Sequence, residues 1–167
     1  MRDFIEGIEN ELPGTFVVAD MEAGLEHLSW AGGTMRYVDL LLVVVQPTAK
    51  VMMTACRTHK LALELAIPRI SFVGNRATSP ADVDRMEAFA AERGCELLIA
   101  IPEDSAVPAA DRASMCVLDT SPGSEAVRAI SRLAERLERS SAPAGLGQAM
   151  KVTAGPRSPR NGRPTRG

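Results

Sequence analysis

The sequence has little cysteine. Cys56, Cys95 and Cys116 are far apart and odd in number. With no CxxC or CxC pair among them, neither a disulfide framework nor a zinc knuckle is expected. Long apolar runs are also missing: the longest is Leu40 to Val45, far short of the roughly 20 residues that cross a bilayer. The first residues are acidic and polar, so no signal peptide is visible, and a reduced, cytoplasmic protein is expected. No GxxxxGK[ST] pattern occurs in the 167 residues. The glycine-rich stretches "WAGGT" and "SPGSE" have no following lysine, so the amide cradle and lysine that hold nucleotide phosphates are not found here. Acidic residues are absent from one segment, 151–167, where Lys151, Arg157, Arg160, Arg163 and Arg166 are the charges.

That last asymmetry hides inside a net charge of −2. Residues 1–150 hold 14 basic against 21 acidic side chains, a net of −7. The tail "GPRSPRNGRPTRG" has almost nothing to bury and should be disordered. It could touch nucleic acid or an acidic partner, but its composition favours a solvated tail. The whole chain is 46% hydrophobic, enough for one domain with its own core. The boundary is placed between residues 139 and 140.

Four apolar segments read as strands: Phe16–Ala19, Leu40–Val45, Ile70–Val73 and Leu97–Ile101. Their unbroken Val, Ile and Leu content suits strands buried on both faces. Helical patterns separate them. Residues 49–65 run through Val51, Met52, Ala55, Leu61 and Leu65 until Pro68 forbids continuation. Residues 80–93 have Ser79 as N-cap, Pro80 in the first turn, Val83, Met86 and Ala90 inside, and Gly94 as the stop. Residues 122–139 repeat this, with Ser121 capping, Pro122 starting, and Val127, Ile130, Leu133, Ala134 and Leu137 facing inward. The order predicts an α/β fold, a partial doubly wound parallel sheet of about four strands. Ligands of such sheets sit beyond the carboxyl ends of the strands. Asp20, Glu22, Gln46, Pro47, Asn75, Arg76, Pro102, Glu103 and Asp104 stand there.

The segment "DMEAGLEHL", residues 20–28, resembles the surroundings of the Walker B aspartate in the CooC-type ATPases. These insert nickel into carbon monoxide dehydrogenase and belong to the MinD/ParA group of P-loop ATPases. The likeness continues through "VDLLLVVVQPTAKVMMTACRTHKLALELAIPRISFVGNRA" and "IPEDSAVPAADRASMCVLDTSPGSEAVRAI", covering roughly residues 15–138, the last half of a full-length member. It implies that Asp20 orders the water shell of a magnesium ion. Glu22, Ala23 and Gly24 would sense the γ-phosphate. Asn75, with Arg76 beside it, would hydrogen-bond the adenine edge, and Pro102, Glu103 and Asp104 would line the other side of the base. Glu26 and His27 match a family signature. For His27 a helix-start residue bonded to a carboxylate and a nickel or catalytic role both stay open.

Departures from the pattern are as informative. "SWAGGT" has no arginine, Gln46 stands where an acid is common, and Arg76 where lysine is common. The Cys-x-Cys pair with which some members bind metal between subunits is absent, and Cys56 reads as a packed or surface thiol. The expectation is the C-terminal half of a CooC-like ATP-binding domain, needing ATP, magnesium and a separate P-loop half for turnover, with a metalloenzyme as client. The alternative is a non-catalytic α/β interaction module or a truncated remnant. In the family fold a central strand lies between Phe16–Ala19 and Leu40–Val45. Without it, the two segments are expected to pair directly and the domain to self-associate.

Overall fold

The computed structural model describes residues 16–20 and 38–141. Three strands, β1 (Leu41–Val45), β2 (Ile70–Ala77) and β3 (Leu97–Pro102), form a wholly parallel sheet in the order β1-β2-β3. Crossovers are helical: α1 (Ala49–Glu64) joins β1 to β2, and α2 (Pro80–Ala91) joins β2 to β3. Beyond β3 come α3 (Ala106–Arg112), α4 (Val117–Thr120) and α5 (Glu125–Ser141).

The core lies where α1 and α2 cover the sheet. Val43 and Val45 of β1 and Phe72 of β2 meet Met52 and Ala55 of α1 and Met86, Phe89 and Ala90 of α2. Phe72 and Phe89 pack edge to face, with ring centroids 5.5 Å apart. Side chains alternate along a strand, so Val44, between two buried valines, points away from this core and is 56% exposed. Gly74 lets α2 come down onto β2. A Cβ there would sit 2.9 Å from Met86 Cε and 3.2 Å from the Ala100 Cα. The thioether could swing aside, but the Ala100 backbone could not.

Several expectations change. Phe16, Val17 and Val18 stand outside the sheet, 49%, 48% and 78% exposed, so the expected pairing with Leu40–Val45 is not formed and the sheet has three strands. Extended apolar sequence becomes a strand only when a neighbour takes up its amides and carbonyls. The last helix begins at Glu125 rather than 122, because Ser121 ends α4 instead of capping α5. Its buried side chains are Ala126, Val127 and Ala129, while Ile130 is 44% exposed and Ala134 exposed. The helix runs to Ser141. The remaining tail, 142–167, lies outside the described residues, as do Glu22, Ala23, Gly24, Glu26 and His27.

Three helices end in one motif, a left-handed residue followed by an amide bonded five residues back. After α1 it is Ala66 (φ 55°), with the Ile67 N–H donating to Ala62 O at 3.1 Å. After α2 it is Gly94 (φ 66°), with the Cys95 N–H donating to Ala90 O at 3.1 Å. After α3 it is Ser114 (φ 55°), with the Met115 N–H donating to Ala110 O at 3.0 Å. Only the second uses the residue for which that φ is unstrained. Ala66→Gly should therefore stabilise the domain by about 1 kcal/mol and Gly94→Ala should destabilise it by a similar amount, since nothing lies within 4 Å of a Cβ at Gly94. Urea denaturation measures both, and a loss of stability in Ala66→Gly would contradict the motif at α1.

Candidate functional site

Polar residues gather where the apolar strands stop. Along β2 and β3, Gly74 pairs with Ala100 and Ala77 with Pro102, so Asn75 and Arg76 together oppose Ile101. This two-against-one mismatch is a β-bulge, a feature that re-aims side chains at the end of a ladder. Arg76 takes the strain, with φ 59° in the left-handed region. Past the bulge the strands are tied again. The Glu103 N–H donates to Ala77 O at 2.9 Å, and Arg76 Nη2 donates to Glu103 Oε1 at 3.0 Å. Both side chains of that ion pair are about half exposed, so water screens it and it orients more than it stabilises. The Glu103 carboxylate raises the pKa of the Arg76 guanidinium, chiefly through the hydrogen bond.

Asn75, Arg76, Pro102, Glu103 and Asp104 thus share one end of the β2–β3 pair. Asp104 accepts from the backbone N–H groups of Ala106 at 2.9 Å and Ala126 at 3.0 Å. Beside them an open cleft of about 440 Å³ runs between β3 and the start of α2, lined by Ala77, Thr78, Ser79, Val83, Ala100 and Pro102 among others. Asp82 shapes its rim, accepting from Thr78 N–H at 2.9 Å and Thr78 Oγ1 at 2.6 Å while its own N–H donates to Ser79 Oγ at 3.3 Å. Asp20 is exposed, outside the sheet. Among the described residues no group of three or more His, Cys, Asp or Glu side chains is set to hold a metal ion. A lone carboxylate still fits magnesium, which keeps several waters and takes its other ligands from phosphates.

A second cluster, which no sequence signal announced, lies at the opposite strand ends. His59 of α1 is buried, with Nε2 3.3 Å from the Cys95 thiol, and the two are 36 residues apart. Burial, then the Arg93 charge, holds His59 below its usual 6.5. Burial pushes the Cys95 thiol up against a smaller opposing effect of Arg93. Both groups are neutral at pH 7, an arrangement for packing rather than for a nucleophilic thiolate.

The parallel α/β architecture matches the MinD/ParA-like fold of P-loop ATPases. The structure matches the MinD cell division protein of Aquifex aeolicus with a TM-score of 0.67 over 81% of this chain and 58% of that one, at 21% identity. It matches MinD of Pyrococcus horikoshii, solved with Mg-ADP, with a TM-score of 0.64 over 84% and 58% at 25% identity. In sequence the chain is 41% identical over 110 residues to the carbon monoxide dehydrogenase accessory protein CooC of Rhodospirillum rubrum, covering 64% of this chain and 39% of that protein. No protein-family model matches. The chain therefore resembles a CooC-type, MinD/ParA-like C-terminal region, an ATPase-family domain. It spans 35–53% of the length of the curated relatives it matches. No described helix is long and apolar enough to cross a membrane.

The Asp82 cap makes the rim pH-dependent. Hydrogen bonds from Thr78, the side chain first, hold its carboxyl below the usual 3.8. A depressed carboxylate adds stability that is fully present above its unfolded pKa and is lost as the pH falls through the folded one. Asp82→Asn should therefore lower the Tm at pH 7, and the gap from wild type should close below about pH 4. A gap that persists unchanged at pH 2 would show that the charge of Asp82 is not what matters.

Proposed function

We propose that this chain supplies the base-binding side of a MinD/ParA-type ATP-binding domain related to nickel-delivering CooC proteins. The observation that carries the reading is the 41% identity to CooC over 110 residues, supported by the bulged polar end of β2 and β3. In this reading Asn75 pairs with the adenine edge, since one amide offers both a donor and an acceptor. Arg76, Pro102 and Glu103 flank it, with Asp104 behind them. Asp20 orders the water shell of magnesium, and Glu22 and Gly24 follow the state of the γ-phosphate. ATP and magnesium are held fully once a P-loop-bearing segment, on this or another polypeptide, joins the sheet at β1. The client is a metalloenzyme of the carbon monoxide dehydrogenase kind, and nickel is the cargo. Self-association through the β1 edge competes with that joining.

A second reading, a non-catalytic interaction module, is favoured by one observation, the exposure of Val44 on a strand at the edge of the described sheet.

The 167-residue chain should show no magnesium-dependent ATP turnover above background. One oxyanion-type donor is worth roughly 3 kcal/mol in the transition state, and the P-loop supplies several. Turnover abolished by Asp20→Ala would overturn this. Binding tests the base face separately. ATP and GTP, titrated against wild type and Asn75→Ala while amide chemical shifts are followed, should bind weakly with a preference for ATP. Asn75→Ala should weaken ATP by about 1–3 kcal/mol. Equal shifts in all four combinations would assign the chain to the interaction-module reading.

A further inference from the structure

Asp104 stands where three elements meet. β3 ends two residues before it, α3 begins two residues after it, and α5 begins at Glu125. One carboxylate serves both helices. Oδ1 accepts from Ala106 N–H at 2.9 Å, closing a local turn, and Oδ2 accepts from Ala126 N–H at 3.0 Å, across 22 residues of chain. A helix start has unpaired N–H groups and a partial positive charge, so an anionic acceptor shared by two of them makes strong, directional bonds. The adjoining residue is fastened the other way: Glu103 bonds to β2 through the Ala77 carbonyl and the Arg76 guanidinium. The short loop after β3 is thus pinned on one side to β2 and on the other to α5. The helix itself is held at its far end, where Arg136 donates to Leu98 O at 2.9 Å and pairs with Glu96.

We propose that Asp104 is a positioning residue of the nucleotide face: by joining the starts of α3 and α5 it holds Pro102 and Glu103 in register with Asn75 and Arg76. What the register serves rests on the nucleotide reading above. The clamp itself does not.

The test is amide hydrogen exchange on the full 167-residue chain, comparing wild type with Asp104→Ala and Asp104→Asn. In Asp104→Ala, exchange at Ala106, Ala126 and Glu103 should accelerate about tenfold or more, with Val43 to Val45 and Phe72 unchanged. Asp104→Asn keeps one acceptor oxygen and should restore protection at Ala106, where the turn is local, but not at Ala126. Equal acceleration across all three strands would mean a general loss of stability, and unchanged exchange at Glu103 would mean that the loop is held otherwise. Either result overturns the proposal. ATP titrated into the same samples reads the functional step, with binding expected to weaken several-fold in Asp104→Ala and less in Asp104→Asn. ATP bound equally by all three would overturn the positioning role. No ATP–GTP discrimination in wild type would sink the nucleotide reading alone, and the exchange pattern would still decide the clamp.

Discussion

β2 is the strand on which the rest of the domain hangs. Among the described residues it alone has a parallel neighbour along both edges, so its amides and carbonyls are paired to either side and its register sets that of the described sheet. Phe72 centres the core that α1 and α2 close. At Gly74, Met86 and the Ala100 backbone press close enough to leave no room for a Cβ. One residue further on, the ladder slips and the candidate site begins. Core and site are successive stretches of one strand. The close packing that fixes Gly74 therefore also fixes where Asn75 and Arg76 emerge, because a well-packed interior transmits displacement instead of absorbing it.

The elements that could be read from the sequence are those whose cause is local. β2, β3, α1 and α2 come from apolar runs and periodicity, and the start of α2 from the adjacent Ser79 and Pro80. The failures share a non-local cause. Phe16–Ala19 has the composition of a buried strand, but composition supplies no partner. For α5, Pro122 looks like a first-turn proline and predicts a start three residues early, whereas part of the real cap comes from Asp104, on the far side of α3 and α4. α3 and α4, seven and four residues long, are too short to show a period.

The site divides along the same line. Asn75, Arg76, Pro102, Glu103 and Asp104 could be picked out because each follows the end of an apolar run. That Arg76 is left-handed, reaches Glu103, and sits in a bulge could not, since all three depend on how β3 is registered against β2. Resemblance to a family named the residues without their geometry. The His59–Cys95 contact had neither a motif nor a spacing to reveal it.

The remaining strain in the design is at β1. A parallel strand is stable when both faces and both edges are covered, and among the described residues β1 is an edge strand whose Val44 lies 56% exposed between valines at 7% and 0%. Five consecutive apolar residues are more than a one-sided strand needs, since alternation would serve. The sequence of β1 is thus written for a deeper position than the described residues give it. This chain covers 58% of the length of the MinD structures of Aquifex aeolicus and Pyrococcus horikoshii. A hydrophobic edge left open pairs with whatever strand is available, a copy of itself included. In the proposed reading, association at β1 and completion of the sheet would draw on the same amides and carbonyls of its outer edge, so that one would exclude the other.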